Sequence, residues 1–92
     1  MAEIRGSQFK NGTADQLLQT GAGKVYGFTI NSHTSGTIRL IDGLTAGSGR
    51  VIVNTITLAA GPQVWTLPEP AAFSTGLYVD VGGTIDYTIF WN

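Results

Sequence analysis

The chain has 92 residues and a net charge of −1, with no cysteine and one histidine. This length allows one domain around one hydrophobic core. The missing cysteines exclude a disulfide scaffold and thiol chemistry, and the five scattered basic residues form no stripe that would bind nucleic acid. No apolar run is long enough to span a membrane and the first residues contain no signal-like segment, so we expect no membrane partner.

The charged fraction is the most unusual feature of the composition. Asp, Glu, Lys and Arg make up 12% of the chain, whereas ordinary soluble domains carry about 25%. Threonine, serine, asparagine and glycine can solvate part of the surface. The remaining deficit predicts that a sizeable area is covered by other protein chains in the working state, because interface cores are depleted in charge.

Short runs rich in Val, Ile, Thr, Tyr and Phe alternate with clusters of Gly, Pro, Asn, Asp and Ser, a pattern that predicts β-strands separated by turns. The predicted strands are Glu3–Phe9, Gln16–Gln19, Lys24–Asn31, Thr37–Asp42, Val51–Leu58, Gln63–Leu67, Leu77–Val81 and Thr84–Trp91. We expect residues 1–12 to form an N-terminal arm or an edge strand, and residues 13–92 to form one β-sandwich domain. A short helix at Ala14–Gln19 is the alternative to the second strand, although so short a helix needs packing to persist.

Apolar residues occupy alternate positions in most of these segments, which indicates one buried and one wetter face. The predicted core-facing sets are Tyr26, Phe28 and Ile30; Ile38 and Leu40; Leu77, Val79 and Val81; and Ile85, Tyr87, Ile89 and Trp91. This alternation is typical of antiparallel sheets packed on each other. The predicted fold class is therefore all-β, an antiparallel, jelly-roll-like β-sandwich of about eight short strands. An open-ended barrel is the competing architecture.

Phe90 does not fit a simple inside–outside division of the last strand. Alternation places it on the outer side, among threonines and an aspartate, where water is expected. An aromatic residue in that place predicts contact with another protein chain. The candidate interface residues are Ile4, Phe9, Ile41, Tyr78 and Phe90.

Few residues could carry chemistry. Gly21–Lys24 spells GAGK but lacks the earlier glycine and the following Ser or Thr of a phosphate loop, so it is predicted to be a turn. His33 has no partner at ligand or triad spacing and is predicted to be a solvated loop residue. Asp80 and Asp86 flank Gly82–Gly83 and could approach each other across a hairpin. A glycosidase carboxylate pair or a calcium site would require such an approach. Both side chains are, however, predicted to face water. We predict no catalytic residue, no cofactor and no metal site, and a small hydrolase using the two aspartates is the third-ranked hypothesis.

The order of turns and strands from Lys24 to Trp91 resembles that of small β proteins found among the structural genes of tailed bacteriophages. Its elements are an aromatic strand at Tyr26–Ile30, a strand ending in Asp-Gly at Ile38–Gly43, a small-residue loop at Thr45–Arg50, strands at Val51–Leu58 and Val64–Leu67, the run FSTGLYV at Phe73–Val79, and a last strand at Ile85–Trp91. The resemblance covers about three quarters of the chain. Its motifs are turns and strands, so it implies no catalytic residues.

This resemblance implies a non-enzymatic virion protein, in particular a capsid decoration (cement) protein. Such a protein would be a homo-oligomer, with a trimer favoured, bound to the major capsid protein on the surface of the virion and made in the host cytoplasm. The alternative is a module associated with a head or tail fibre that binds host-surface glycans, using Trp65 or Tyr78. The absence of a fibre-like repeat or coiled-coil stalk in this sequence favours the decoration protein.

Overall fold

The structure, a computed structural model, describes residues 8–92. These residues form the strands β1 (Gln8–Gly12), β2 (Gln16–Thr20), β3 (Gly23–Asp42), β4 (Arg50–Thr57), β5 (Gln63–Phe73) and β6 (Gly76–Trp91). All neighbouring strands pair antiparallel, and no helix occurs within residues 8–92. The predicted all-β, antiparallel fold class is confirmed. The second predicted strand therefore forms, and the alternative helix does not.

The two long strands β3 and β6 form the centre of the sheet and pair along most of their length. The C-terminal part of β6 also pairs with β1, and its N-terminal part pairs with β2. The N-terminal part of β3 pairs with β5, and its C-terminal part pairs with β4. Two four-stranded groups result: a first half-sheet with the order β1-β6-β3-β5 and a second half-sheet with the order β2-β6-β3-β4. Strands distant in sequence are thus neighbours, as in a jelly roll.

The sheet bends where the two half-sheets meet. The register of β3 against β6 shifts between Thr34 and Thr37. On the two strands of the bend, Ser35 and Gly83 both have a left-handed backbone, with φ of 51° and 73°. A Cβ at Gly83 would collide with the carbonyl oxygen of Ser35. Glycine is therefore required on this side of the bend.

The bend brings the inner faces of the two half-sheets together around one hydrophobic core. Phe28 and Ile89 from the first half-sheet, and Leu40 and Val79 from the second, are at most 1% exposed and belong to one cluster. A single-layer sheet would leave one face in water, so this joint burial means that the half-sheets pack face to face. Full burial of each such side chain stabilises the fold by about 1.5–3 kcal/mol. The core is therefore the main source of stability.

Six strands form, and not about eight, because β3 and β6 each continue through the bend. The predicted strands Lys24–Asn31 and Thr37–Asp42 are both parts of β3, and Leu77–Val81 and Thr84–Trp91 are both parts of β6. The expected hairpin at Gly82–Gly83 is wrong. The two glycines do mark a change of direction, but it is a bend within a strand and the chain does not reverse there.

A β-bulge changes one of the predicted core faces. Tyr26 was expected inside together with Phe28 and Ile30, but the register of β3 shifts between Val25 and Gly27 against both of its neighbours. The bulge turns Val25 fully inward and leaves Tyr26 half-buried. In the other strands the predicted core residues that are buried are Ile38, Leu40, Leu77, Val79, Ile85, Tyr87, Ile89 and Trp91.

Candidate binding surface

The outer face of the first half-sheet carries a largely apolar surface. One register row crosses its four strands through Phe9, Phe90, Gly27 and Thr66, so these positions share one side of the sheet. Phe9 is 70% exposed, and its ring centroid lies 6.4 Å from that of the half-buried Phe90. Val64, the next outward position along β5, is 75% exposed. We define the aromatic surface as Phe9, Tyr26, Val64 and Phe90, together with Trp65, which is paired with Phe28 on the other side of β5 but lines the same pocket.

An open pocket of about 270 Å³ lies in the aromatic surface where β3 meets β5. Its lining residues are Tyr26, Gly27, Phe28, Thr29, Val64, Trp65, Thr66, Leu67 and Phe90. Trp65 stacks on Phe28 with ring centroids 6.1 Å apart, which fixes the indole in this wall. A Cβ at Gly27 would collide with the carbonyl oxygen of Trp65, so glycine permits the close approach of the two strands. Drug-sized ligands need about 300–1,000 Å³, so this pocket fits a single side chain or a small ring.

The pocket lining carries no charged side chain. Farther along the same outer face, the polar groups bond to each other: the amides of Asn11 and Asn31 donate to Oδ1 of Asp86 at 2.7 and 3.1 Å. These hydrogen bonds from Asn31 and Asn11 hold the pKa of Asp86 below its ordinary value. The surface therefore suits an uncharged, apolar partner group.

The outer face of the second half-sheet carries a separate apolar row. Leu17, Tyr78, Ile41 and Val51 are consecutive register partners across its four strands. Leu17 and Val51, on the two edge strands, are 42% and 49% exposed, and Tyr78 is half-buried. Tyr78 is the only aromatic residue of this row, and a polar pocket beside Asp42 and Arg50 reaches the row at Val51.

Of the four predicted interface residues within residues 8–92, Ile41 is the one that its own chain buries. Its side chain lies between Tyr78 and Val51 in the row and is 2% exposed. The loop that follows β3 is also held on this face, because Arg39 donates a hydrogen bond to the carbonyl oxygen of Ala46 at 3.0 Å. Ile41 therefore lies on the outer face, but it has almost no exposed surface to offer a partner, which contradicts its choice as an interface residue.

The other predicted interface residues fall into two groups. Phe9 and Phe90 come into contact on the first half-sheet, whereas Tyr78 lies on the second. Ile4 lies outside the described residues. The β1 strand at Gln8–Gly12 is an edge strand, one of the two alternatives for residues 1–12.

Val64 and Trp65 were not among the predicted interface residues. Trp65 was named only for the alternative glycan-binding function; its ring lies toward Phe28, but β5 is an edge strand of the described sheet and the residue remains 38% exposed. A signal was present in the sequence. No charged residue occurs between Arg50 and Glu69. An uncharged stretch of that length over two strands indicates a surface that contacts another protein chain.

The two aspartates considered for catalysis are held apart by different partners. Asp80 forms an ion pair with Arg39, with Nη2 and Oδ2 2.7 Å apart. Asp86 accepts hydrogen bonds from the two asparagine amides described above. Because β6 continues through Gly82–Gly83, no hairpin turns the two carboxylates toward each other.

His33 is a strand residue and not the predicted loop residue. It lies in β3 at the bend, where its Nδ1 accepts a hydrogen bond from the N–H of Gly36 at 3.2 Å and its Nε2 contacts the carbonyl oxygen of Ala59. Gly21–Lys24 forms the predicted turn into β3, with Gly21 at φ 97°. Among residues 8–92 no group of three His, Cys, Asp or Glu side chains could hold a metal ion. Over the same range, no helix has the length and apolar character needed to cross a membrane.

Asp42, at the end of β3, is the carboxylate with the most constrained environment. Its side chain is 2% exposed and accepts hydrogen bonds from the N–H groups of Ser74, Thr75 and Gly76, at distances between 2.8 and 3.3 Å. Arg50 donates to Oδ2 at 3.0 Å. Burial would raise the pKa of Asp42, but the hydrogen bonds, led by that of Thr75, outweigh it and hold the pKa far below its ordinary value. These contacts tie the β5–β6 connection to the end of β3, which is a structural role.

No protein-family model matches the chain, and no curated protein and no solved structure matches it either.

Proposed function

We propose that this chain is a non-enzymatic structural protein that acts by binding other protein chains, as a decoration protein that trimerises on a phage capsid. The observation that carries the proposal is the aromatic surface. Phe9 and Val64 are 70% and 75% exposed beside an apolar pocket. Apolar patches that contain a pocket and exposed aromatic rings are characteristic of protein interaction sites. The assignment to a phage capsid comes from the resemblance between Lys24 and Trp91, and a position on the virion follows from it.

The composition supports a protein that is permanently assembled. With 12% charged residues, the chain has few surface charges that would prevent it from associating with other copies of itself. A ring of three subunits could engage three equivalent sites on a capsid shell at once, so that modest affinity at each site becomes tight binding overall. A sandwich whose core is closed by two half-sheets is also a rigid platform for such contacts.

The proposal is tested by measuring the mass of the wild-type protein and its binding to shells of the major capsid protein. Light scattering after size-exclusion chromatography is expected to give about three times the 9.7 kDa of the chain. Co-sedimentation with preassembled shells is expected to saturate. A monomer at high concentration that also fails to sediment with the shells would overturn the proposal.

A glycan-binding module is the second candidate, because an exposed tryptophan and a tyrosine line the pocket. Trp65 and Tyr26 both belong to the lining, but Tyr78 lies on the other half-sheet and cannot contribute to the same site. The lining contains no charged or amide side chain to bond sugar hydroxyls, which favours a protein partner. Glycan-array binding that is lost in Trp65→Ala, while the oligomer persists, would establish the glycan-binding function instead.

A further inference from the structure

We infer that Phe9 of one copy occupies the pocket of a neighbouring copy, so that subunits associate head to tail through the two edges of the first half-sheet. This inference rests on the self-association in the proposed function and specifies the contact that produces it.

The donor group is the ring of Phe9 on the edge strand β1. Phe90 packs against part of this ring, and 70% of the residue remains in water. An aromatic ring of this kind contributes a large apolar area to an interface, about 150–250 Å² when buried. The side chain is already positioned by its contact with Phe90, so less conformational entropy is lost on binding.

The acceptor site is the pocket at the opposite edge of the same half-sheet. Its lining is mainly apolar and includes the rings of Tyr26, Trp65 and Phe90. At about 270 Å³ it has room for one aromatic side chain. An uncharged ring matches an uncharged, aromatic site in both size and chemistry, whereas a charged side chain would lose its hydration there without a partner.

The ring that enters the pocket belongs to a second copy and not to the same chain. Residues 64–67 of β5, which form the far wall of the pocket, are separated from Phe9 by the intervening strands β6 and β3. Phe90 of β6, which the Phe9 ring contacts, lies at the near side of the pocket. Strands in a sheet lie about 4.7–4.9 Å apart, so β1 and β5 are separated by roughly 14 Å, farther than a phenylalanine side chain extends. The ring of Phe9 is in addition held over Phe90.

The charges on the two edges favour pairing of β1 with β5 of the next copy. The only charged residue of β1 is Lys10, and the only charged residue of β5 is Glu69. A β1–β5 contact joins opposite charges, whereas a β1–β1 or a β5–β5 contact joins like charges and is disfavoured. Among the strands of residues 8–92, β5 pairs only with β3, so its other edge is available to a strand of a neighbouring copy.

A contact between two different patches of the same chain is heterologous. Under rotational symmetry such contacts close into a ring, which agrees with a trimer and not with an isologous dimer.

Photo-cross-linking tests the contact directly. p-Benzoylphenylalanine replaces Phe9, and the protein is mixed with an equal amount of isotopically labelled wild-type chain before irradiation. Mass spectrometry is expected to show cross-links from position 9 to residues 64–67, joining labelled to unlabelled chains. The same probe in place of Leu17, which is 42% exposed on the second half-sheet, is the control and is expected not to react with residues 64–67. Cross-links from position 9 that go elsewhere in the partner overturn the inference.

Two substitutions provide a test in solution. Phe9→Ala removes the ring and Trp65→Ala opens the pocket wall, and each is expected to weaken self-association at least tenfold. Leu17→Ala is the control that should keep the wild-type mass. An equimolar mixture of Phe9→Ala and Trp65→Ala retains one intact ring and one intact pocket, so it is expected to form a heterodimer.

The failure of this inference differs from the failure of the proposed function. If the wild type forms a trimer and both substituted proteins keep the same mass, with unchanged circular dichroism, the Phe9 contact is wrong while the structural function stands. If the wild type itself remains a monomer and does not bind capsid shells, both fail.

Discussion

Replacing Asp42 by asparagine tests the interpretation that a buried carboxylate fixes the β5–β6 connection. Asparagine has nearly the same shape but only one oxygen, so the hydrogen bonds to one of the two carboxylate oxygens are lost. Oδ1 accepts from Thr75 and Gly76, and Oδ2 accepts from Arg50 and the hydroxyl of Ser74. Either orientation of the amide therefore removes two interactions. Hydrogen bonds to a charged group contribute about 1.5–3 kcal/mol each, so we expect the free energy of unfolding to fall by about 3 kcal/mol.

Urea denaturation followed by tryptophan fluorescence measures this loss. With an m-value of about 1.5 kcal/mol/M, a loss of about 3 kcal/mol lowers the midpoint by about 2 M. Arg50→Ala is the matched control. Its side chain is 77% exposed, so its ion pair with Asp42 is expected to contribute no more than about 1 kcal/mol.

The pH dependence identifies the charge of Asp42 as the cause. Its pKa in the folded chain is lowered, so the carboxylate stabilises the fold above its unfolded pKa of about 3.9, and this contribution is lost as the pH falls below that value. The difference between wild type and Asp42→Asn should be largest near pH 7 and should shrink from about pH 5 downward. A difference that is the same at pH 7 and pH 3, or a loss no greater than that of Arg50→Ala, would refute the reasoning.

Three further predictions concern the fold. Gly83→Ala places a Cβ on a left-handed backbone at the bend, against the carbonyl oxygen of Ser35, so it should lower the free energy of unfolding by about 1–3 kcal/mol. Gly47→Ala is the control, because a Cβ there meets open space and should change the urea midpoint little. Tyr87→Phe removes the hydroxyl that donates a hydrogen bond to the carbonyl oxygen of Ala14 at 2.5 Å. Its free energy of unfolding, measured by urea denaturation, should be lower by about 1 kcal/mol. Ile89→Ala should lower the free energy of unfolding by about 2–5 kcal/mol, because Ile89 is fully buried in the core. A decrease of less than about 1 kcal/mol would contradict this packing.

Local sequence patterns predicted which residues alternate but not how the strands continue. The alternation of Ile85, Tyr87, Ile89 and Trp91 was sufficient to place their side chains in the core and Phe90 outside, and the structure agrees. A pair of glycines, by contrast, indicates only that the backbone departs from regular extension. Whether the chain then reverses or bends depends on the strand beside it, here the Thr34–Thr37 segment of β3.

The bulge and the edges could not be predicted for a similar reason. Val25 and Tyr26 exchange faces because β3 shifts register against both neighbours, and this depends on tertiary pairing and not on the sequence of β3 alone. Trp65 is paired with the core residue Phe28, but it remains exposed because β5 is the last strand of its half-sheet, a position that the sequence of β5 alone does not show. The candidate surface was therefore partly predictable: Phe90 follows from alternation and Phe9 was a candidate interface residue of the N-terminal segment, whereas the pocket exists only once β5 lies beside β3.

The position of the charges leads to a last prediction, on salt. Arg39, Arg50 and their aspartate partners are engaged within the fold, and Asp86 is held by two asparagines. No charged side chain lines the pocket. Association through Phe9 and an uncharged pocket should then depend little on ionic strength. Screening at high salt would weaken only the Lys10–Glu69 attraction between edges.

We therefore expect the dissociation constant for one such contact to change by less than about fivefold between 50 and 500 mM NaCl, since apolar burial is not screened and the one exposed ion pair of the contact contributes at most about 1 kcal/mol. Analytical ultracentrifugation over a dilution series at each salt concentration measures it. A larger weakening at high salt would mean that charged groups hold the copies together. The aromatic surface would then be free for a different partner, because the self-association would not be using it.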